Sequence, residues 1–479
     1  MKMSAIEISR LIIERKISVH EVVSSHIEQA QLVNGNINAI VGQRYEEALE
    51  QAKKLDRSGA VKHDKPLFGV PFTVKESIAV HGLPNTYGSY SRRNDIADKH
   101  ATTVERLLKA GAILIGQTNL SELALWPECD NVIYGKTSNP HNIQYTSGGS
   151  SGGDAAIVSA GGVPFALGTD GGGSIRIPAA HCGVFGHKPS SKFVPMTGHF
   201  PLDRYFGQRP SAQFISRFFA MGPICRKAED LLPLLKVISG PDNIDKNITR
   251  NFNEHQYIDS LKGLKIYLPQ GRLYPFLKPV EKNITRHINF IASVLEKEGA
   301  EIIPIKLPFL SDACDLWFDI ISTAKDITLN SVVNLNHSLL SEAFHRASGK
   351  KNIMLSTWFL LFMEKIAISN RKNYLHFLYC KNKISAQLNQ HLDHKSVLLL
   401  ATYPSTAIKH SRSFFSPFDF LYSAIFNVLE LPATSVPVSM SKDNLPVSIQ
   451  LAAAHGCDHI PITLACYLEK TLEVGNHLI

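Results

Sequence analysis

Two glycine-rich segments hold the residue types best suited to chemistry. The first reads Thr-Ser-Gly-Gly-Ser-Ser-Gly-Gly-Asp over 146–154, and the second reads Gly-Thr-Asp-Gly-Gly-Gly-Ser-Ile-Arg-Ile-Pro over 168–178. In the second segment, three consecutive glycines at 171–173 precede Ser174. Glycines adopt backbone angles that other residues avoid, so their N–H groups can converge on one point. Convergent N–H groups can bind an oxyanion, and a serine beside them is placed to act as a nucleophile.

Three other uses of glycine-rich sequence fit poorly. A phosphate-binding loop ends in a lysine followed by serine or threonine, and neither segment has that lysine. A dinucleotide fingerprint needs Gly-x-Gly-x-x-Gly between a strand and a helix, which neither segment matches well. A hydrolase elbow needs Gly-x-Ser-x-Gly, whereas Ser174 is followed by Ile175 and Arg176. What remains is a serine presented by glycines, which needs a base because its hydroxyl is nearly inert at neutral pH.

Further motifs occur before and after these segments, in a fixed order. They are Gly-Val-Pro-Phe-Thr-Val-Lys-Glu (69–76), Gly-Gln-Thr-Asn-Leu-Ser-Glu (116–122), Gly-Lys-Thr-Ser-Asn-Pro (135–140), Gly-His-Lys-Pro-Ser (186–190) and Leu-Pro-Val-Ser-Ile-Gln (445–450). In this order and at these separations, the chain resembles the amidase signature enzymes over nearly its full length. The resemblance implies an amide hydrolase that needs no metal and no cofactor.

The resemblance also implies a relay of three catalytic residues. Lys75 matches the family's catalytic lysine, Ser150 its bridging serine on a cis peptide, and Ser174 its acyl-forming serine. A lysine with a pKa of about 10.4 cannot accept a proton at pH 7, but burial lowers that pKa by several units. Neutral Lys75 is then expected to take a proton from Ser150, which takes one from Ser174. The expected intermediate is an acyl-enzyme on Ser174.

Other residues are assigned around this relay. Four N–H groups are expected to form the oxyanion hole, those of Gly171, Gly172, Gly173 and Ser174. Ser151 is expected to be a structural hydrogen-bonding residue, and Asp170 and Arg176 are expected to fix the shape of the loop. Relatives often carry isoleucine, threonine or serine where this chain has Gly171, which predicts a looser loop.

Histidines and cysteines near the motifs are expected to be structural. His181 and His187 suggest a serine–histidine pair, but the family uses no histidine. Cys129 and Cys182 are expected to be inert buried thiols. The seven cysteines are scattered and include no Cys-x-x-Cys pair, which argues against disulfides and zinc and favours a reducing compartment.

Four short stretches resemble the type 2 fatty-acid amide hydrolases within the family. They are 186–190, Tyr-Pro-Ser (403–405), Phe-Asp-Phe (418–420) and Tyr-Leu-Glu-Lys-Thr (467–471). They predict a small-molecule amide with a hydrophobic or fatty acyl group. One alternative is the A subunit of a tRNA-dependent amidotransferase, a glutaminase that usually has glutamine where this chain has Ile177. The other is a non-catalytic scaffold, against which the intact relay residues argue.

These residues require an α/β fold to position them. Predicted helices lie within 4–56 and at 103–110, 155–159, 281–297 and 459–471. Predicted strands lie at 66–74, 112–116, 163–167, 264–268, 301–305, 397–402 and 446–451. Ser4 with Glu7, and Ser18 with Glu21, fit the Ser-x-x-Glu capping box. This alternation, with the resemblance, predicts an α/β/α sandwich with a large mixed, mostly parallel twisted sheet.

The predicted domain organisation has an N-terminal unit and one large unit. Residues 1–60 are expected to form helices packed on the core, and 61–479 the amidase signature domain. A mostly helical apolar insertion is expected at about 309–390. Its segment 354–368 is read either as core helix or as an acyl-binding lid or membrane-touching helix, which leaves peripheral membrane contact open.

Composition narrows the class of protein. Apolar residues make up 44% of 479 residues and charged residues 19%, which suits a large core and excludes wholesale disorder. The net charge of +8 comes without a Lys/Arg block, so no nucleic-acid partner is expected. The most apolar uncharged stretch, 352–363, has 12 residues, fewer than the ~20 that span a bilayer. A cytoplasmic location is expected, and a homodimer is left open.

Overall fold

A computed structural model of the protein describes most of the chain. The described residues are 3–59, 63–199, 209–252, 260–272, 277–308, 310–323, 327–333, 341–342, 348, 352–368 and 374–472.

Helices and strands alternate along the described chain. The helices are α1 (Ala5–Ile13), α2 (Val19–Ile37), α3 (Tyr45–Ser58), α4 (Thr102–Lys109), α5 (Gly152–Ser159), α6 (Arg176–Cys182), α7 (Pro210–Ser216), α8 (Leu231–Ile238), α9 (Lys282–Lys297), α10 (Leu310–Thr323), α11 (Leu329–Val333), α12 (Leu355–Ile368), α13 (Tyr374–Leu388), α14 (Leu421–Val428) and α15 (His459–Leu472). The strands are β1 (Ile40–Gln43), β2 (Pro71–Lys75), β3 (Ile113–Thr118), β4 (Ser138–Asn139), β5 (Asn142–Thr146), β6 (Phe165–Asp170), β7 (Phe185–Lys188), β8 (Ala220–Cys225), β9 (Lys265–Pro269), β10 (Glu301–Ile305), β11 (Ser396–Ala401), β12 (Ala433–Met440) and β13 (Pro446–Ala453).

Eleven strands form one mixed sheet in the order β1-β3-β2-β6-β8-β7-β12-β13-β11-β9-β10. Parallel pairing joins β2 to β3 and β6, and β9 to β10 and β11. The other neighbouring pairs of this sheet are antiparallel. The mixed sheet was predicted, but the expectation that it is mostly parallel is wrong. Short links such as 441–445, between β12 and β13, cannot make the long crossover that parallel neighbours need.

The two faces of the sheet contact two different cores. Along β11, Val397 and Leu399 belong to one core, whereas Leu398 and Leu400 belong to the other. Successive side chains of a strand point to opposite faces, so both faces of the sheet are covered. Helices such as α9 and α15 pack on the first core side, and α10 and α14 on the second. The predicted α/β/α sandwich is therefore confirmed.

The N-terminal helices follow the predicted pattern with two differences. Ser18 and Glu21 form a complete capping box at the start of α2. At α1, the Ser4 hydroxyl accepts from the N–H of Glu7, but the carboxylate at this helix start is that of Asp230, which accepts from the N–H groups of Ala5 and Ile6. Strand β1 lies within the segment predicted to be helical. Side chains of α1–α3 belong to the same core as the sheet, and the boundary at residue 60 stays a prediction.

The described part of the predicted insertion is built from helices α10 to α13 and short connections. Residues 309, 324–326, 334–340, 343–347, 349–351 and 369–373 of that range lie outside the described residues. In the described part of the chain, no helix is both long and apolar enough to cross a bilayer.

Candidate active site

The predicted site residues meet at the carboxyl ends of three adjacent strands of the sheet. Lys75, Thr118 and Asp170 are the last residues of β2, β3 and β6. These strands run parallel to one another, with β2 in the middle. Loops that follow parallel strands meet at one edge of a sheet, which is where α/β proteins usually bind ligands. This edge brings the two glycine-rich segments to Lys75.

Lys75 is completely buried among hydroxyl groups. Its Nζ lies 2.7 Å from Ser150 Oγ, 3.0 Å from Ser151 Oγ and 2.9 Å from Thr169 Oγ1. Burial lowers the pKa of this amine well below its usual range, and the nearby carboxyl of Asp154 opposes part of that shift. An uncharged amine in this place can accept a proton from a hydroxyl to which it is hydrogen-bonded.

The two serines expected to relay protons lie on separate loops that are bonded to each other. The peptide bond between Gly149 and Ser150 is cis, as the resemblance implies. The N–H of Ser151 donates to the carbonyl oxygen of Ser174 at 3.1 Å, which ties the two loops together. Among the described residues, the hydroxyls of Ser150 and Ser174 are not hydrogen-bonded to each other. The structure thus shows the hydrogen bond between Lys75 and Ser150, but it does not show the one between Ser150 and Ser174 that the predicted relay also needs.

The loop before Ser174 is shaped by a buried ion pair. Both oxygens of Asp170 accept from the guanidinium of Arg176 at 3.0 Å, and both side chains are fully buried. Burial alone would raise the pKa of the Asp170 carboxyl, but Arg176 holds it well below its usual range. The same carboxylate accepts from the N–H groups of Gly173 at 2.7 Å and Ile175 at 3.1 Å. Asp170 thus contacts both Arg176 and the backbone of the loop, and a role of this pair in fixing the loop shape stays a prediction.

One predicted oxyanion donor is already occupied. Because the N–H of Gly173 is bonded to Asp170, it is not free to bind an oxyanion. The N–H groups of Gly171, Gly172 and Ser174 donate to no acceptor within the described residues. The predicted set of four donors is thus reduced to these three.

Arg176 is held by residues that the sequence did not single out. Its remaining N–H groups donate to the carbonyl oxygen of Ser423 at 2.8 Å, to Asn427 Oδ1 at 2.7 Å and to Gln450 Oε1 at 3.2 Å. Asn427 also donates to the carbonyl oxygen of Asp170 at 2.9 Å. Only Gln450 lies in a motif noticed in the sequence. The others are on α14, and no local pattern marks them.

Another carboxyl near the lysine was also missed. Asp154, at the end of the first glycine-rich segment, accepts from Thr118 Oγ1 at 2.5 Å. Thr118 lies beside Lys75 in the register of β3 and β2. Burial raises the pKa of the Asp154 carboxyl, and its other oxygen has no partner among the described residues. Its position in the segment after Gly-Gly was the only signal available.

Ser174 lines an apolar pocket of about 70 Å3. Its walls come from segment 124–127, from helices α10 and α12, and from residues 417–420. Most of the large side chains are aromatic, namely Trp126, Phe219, Trp317, Phe318, Phe359, Phe418 and Phe420. None of the described residues that line the pocket is charged. The pocket therefore suits a hydrophobic group bonded to the carbonyl that Ser174 would attack.

Within the described residues, the histidines and cysteines near the motifs make no hydrogen bond to Lys75, Ser150 or Ser174. His187 contacts Thr434 and Asp458. Burial lowers the pKa of His181 to about 3, and its ring contacts Tyr403. Burial raises the pKa of Cys129 to about 12 and also that of Cys182, so both thiols stay protonated at neutral pH. No group of three or more metal-binding side chains occurs in the described part of the chain.

Several known proteins are similar to this chain in sequence or in structure. The family model Amidase matches residues 21–460. Fatty-acid amide hydrolase 2 of Homo sapiens is 35% identical over 494 residues, covering 98% of this chain and 89% of that protein. The A subunit of glutamyl-tRNA(Gln) amidotransferase from Methanosarcina acetivorans is 31% identical over 458 residues, covering 91% and 90%. The solved structure of a bacterial aryl acylamidase matches with a TM-score of 0.79 and 25% identity, covering 99% and 97%.

Proposed function

The chain belongs to the amidase signature family and is an amide hydrolase, and we propose that it cleaves hydrophobic acyl amides through an acyl-enzyme on Ser174. The observation that carries the proposal is the 2.7 Å hydrogen bond between Lys75 Nζ and Ser150 Oγ, fully buried beside a pocket that Ser174 lines. In the proposed mechanism, Lys75 is the base, Ser150 the bridging hydroxyl and Ser174 the nucleophile.

In the acylation step, Ser174 Oγ forms a bond to the amide carbonyl carbon. Its proton passes to Ser150 Oγ, whose own proton passes to the neutral amine of Lys75. Negative charge then develops on the carbonyl oxygen, where the N–H groups of Gly171, Gly172 and Ser174 stabilise it. A preorganised donor of this kind typically lowers the barrier by about 2.7–4 kcal/mol.

The leaving nitrogen must be protonated before the C–N bond breaks, because an amide anion is a poor leaving group. Ser150 gives that proton and recovers one from the ammonium of Lys75. Water then attacks the acyl-enzyme and gives its proton to the same relay, which releases the carboxylic acid and restores Ser174. The amide is thus converted to acid and amine, or ammonia, with no net change in the protein.

The pocket supports a hydrophobic acyl group as the specificity element. Its aromatic walls offer no partner for a charged substrate group. The volume of about 70 Å3 suits a short apolar group, and a longer chain requires side chains of the pocket wall to move. The 35% identity to fatty-acid amide hydrolase 2 also supports a hydrophobic acyl amide as the substrate.

The 31% identity to the A subunit of an amidotransferase supports glutaminase activity as the alternative. Free glutamine carries an ammonium and a carboxylate, which are costly to bury without charged partners. Ile177 adds an apolar side chain to the pocket lining, and this favours the hydrophobic substrate. Glutaminase activity that appears only with a second subunit would favour the alternative.

The proposal is tested by covalent labelling and turnover. We expect a fluorophosphonate to label the protein at Ser174, and Ser174→Ala to abolish both labelling and hydrolysis of hydrophobic acyl amides. Ser159→Ala, which makes the same change at the far end of α5, is the matched control and should keep both. Labelling that persists at another residue in Ser174→Ala would contradict the assignment.

We also propose that the pocket mouth contacts a lipid surface. Helix α12 exposes Leu355, one turn before the pocket residue Phe359, at 46%, and it exposes Phe362 at 46% and Met363 at 36%, one turn after it. Exposed apolar side chains that surround an apolar pocket are typical of an interfacial binding site.

Cosedimentation with phosphatidylcholine vesicles, with and without anionic lipid, tests this contact. We expect the double variant Phe362→Ser, Met363→Ser to bind vesicles at least about tenfold more weakly, because burial of these side chains drives binding. Turnover of a short, water-soluble amide should not change, since neither side chain lines the pocket. Equal vesicle binding by the variant would exclude α12 as the contact.

A further inference from the structure

Aromatic rings cover the three-glycine loop from outside. A Cβ at Gly171 would lie 2.4 Å from Cε1 of Phe219, and a Cβ at Gly172 would lie 3.3 Å from Cδ2 of Phe420. The rings therefore fill the space that side chains at these positions would need. This packing explains why a glycine occupies position 171.

Trp317 adds a directed contact to the loop. The indole N–H of Trp317 donates to the carbonyl oxygen of Gly171 at 2.9 Å. Trp317 lies on α10, within the helical insertion, 146 residues away in sequence. Its ring also packs edge-on against Phe420, with centroids 4.7 Å apart, and both rings line the pocket. One side chain is thus both a wall of the pocket and a hydrogen-bond donor to the loop.

The bonded carbonyl belongs to the same peptide unit as the N–H of Gly172. In a planar trans peptide, the C=O and N–H groups point in opposite directions, so fixing one direction fixes the other. A peptide between two glycines otherwise rotates at little steric cost. A carbonyl that accepts a hydrogen bond also polarises its own N–H and makes that group a better donor.

We propose that Trp317 is a positioning residue that acts through the Gly171–Gly172 peptide and directs the N–H of Gly172 at the reacting carbonyl oxygen. This inference rests on the proposed function, because it concerns the oxyanion of that reaction. It assigns to the insertion a part in the rate of the reaction as well as in substrate binding.

The variant Trp317→Phe removes the N–H but keeps an aromatic ring. Loss of a complete oxyanion donor lowers kcat by about 10²–10³-fold. A donor that is present but misdirected still stabilises the oxyanion in part. We therefore expect kcat to fall about 10-fold while KM stays within about twofold of the parent value. Trp358→Phe makes the same change on α12, outside the residues that line the pocket, and should keep the parent kcat.

A trifluoromethyl ketone distinguishes positioning from packing. Its adduct with Ser174 carries an oxyanion, whereas an alcohol of the same chain length fills the pocket without forming one. We expect Trp317→Phe to weaken binding of the ketone by the same factor by which kcat falls. The affinity for the alcohol should not change. Equal weakening of both ligands, or no change in kcat, would overturn the inference. A parent protein whose Ser174 does not react with fluorophosphonate would instead overturn the proposed function, and this inference with it.

Discussion

The surroundings of Lys75 decide whether its amine can act as a base. All three of its hydrogen-bond partners are hydroxyl oxygens, which do not fix a positive charge as a bonded carboxylate would. The carboxyl of Asp154 is close enough to influence the amine but is bonded to Thr118. The neutral form of Lys75 is therefore accessible near physiological pH.

We expect the pH dependence of kcat/KM to report this amine. The base must be deprotonated, so activity should rise with pH along a limb whose apparent pKa lies below the 10.4 or so of an ordinary lysine. The shift has this direction because burial disfavours the ammonium. Initial rates with a neutral amide substrate across pH 6–10 measure it. A limb at the ordinary lysine value would contradict the buried-base mechanism.

Asp154→Asn tests the electrostatic influence on that base. The amide oxygen can still accept from Thr118, but the negative charge that favours the ammonium of Lys75 is lost. The pKa of Lys75 should fall, and the acid limb of kcat/KM should move to lower pH by about one unit. The other titratable groups near Lys75 are Cys129, Asp170 and His199, which the substitution leaves in place.

The control for Asp154→Asn is Glu105→Gln, which removes a carboxylate on the exposed side of α4. Solvent screens that charge, so the limb should stay where it is. An unmoved limb in folded Asp154→Asn would show that this carboxyl does not influence the lysine.

At the residue scale, sequence motifs predicted the lysine and serines that the structure brings together. They could not predict Thr169, Asn427 or Trp317, because each acts through a contact made across strands or helices. The occupied N–H of Gly173 was missed for the same reason, since it depends on where the carboxylate of Asp170 points.

At the scale of elements, buried carboxylates hold the pocket walls in place. Glu122, after β3, accepts from the N–H of Met354 at 2.8 Å and from the hydroxyl of Thr357 at the start of α12. Glu128 accepts from the N–H groups of Ser411 and Ser413 at 2.7 and 2.9 Å. A buried carboxylate needs such donors, so each one fixes two segments relative to each other.

We expect Glu122→Ala to loosen the start of α12. Since α12 contributes Phe359 and Leu360 to the pocket, the KM for hydrophobic amides should rise about threefold to tenfold, with kcat nearly unchanged. Steady-state kinetics measure both constants. Glu364→Ala, on the same helix, removes a carboxylate that binds the N–H of Leu329 and should leave KM unchanged. A fall in kcat alone would show that α12 affects the chemical step instead.

Element boundaries were predictable where the pattern is local. The strand at 301–305 and the helices that follow Ser18 and Glu281 begin at or within one residue of the positions that the local sequence indicates. Strand β1 was missed because its four residues are partly exposed and show no alternation. The cap of α1 was only half predicted, since Asp230 is more than 220 residues away in sequence.

At the scale of the whole molecule, α1 is bonded to the segment that immediately precedes α8, and both belong to the same core. Asp230 accepts from the N–H groups of Ala5 at 2.8 Å and Ile6 at 3.0 Å, and it is fully buried. Asp230→Ala leaves these N–H groups without their partner, so we expect the free energy of unfolding to fall by about 1–3 kcal/mol. Urea denaturation measures the loss.

The neighbouring exposed Glu229 provides the control for Asp230→Ala. Glu229→Ala should change the free energy of unfolding by less than about 0.5 kcal/mol. Neither residue belongs to the site, so kcat/KM at 25 °C should match the parent in both variants. A stability loss equal in the two variants would mean that the contact with α1 contributes little.

The layered architecture was predictable because helices and strands alternate along most of the chain. The strand order was not, since pairing between segments such as β7 and β12 leaves no trace in either sequence. The alternation of helices and strands led to too high an expected share of parallel pairs, because short hairpin links are hard to recognise without a turn motif.

The indole of Trp317 has a consequence for how such proteins diversify. If the region 309–390 is exchanged for that of a relative, the substrate preference and the turnover rate should change together. One side chain, Trp317, contributes to both. Chimaeras that gain a different pocket wall but lack a hydrogen-bond donor to the Gly171 carbonyl should bind different amides and hydrolyse them slowly. Recovery would then come from second mutations that restore a donor at that carbonyl.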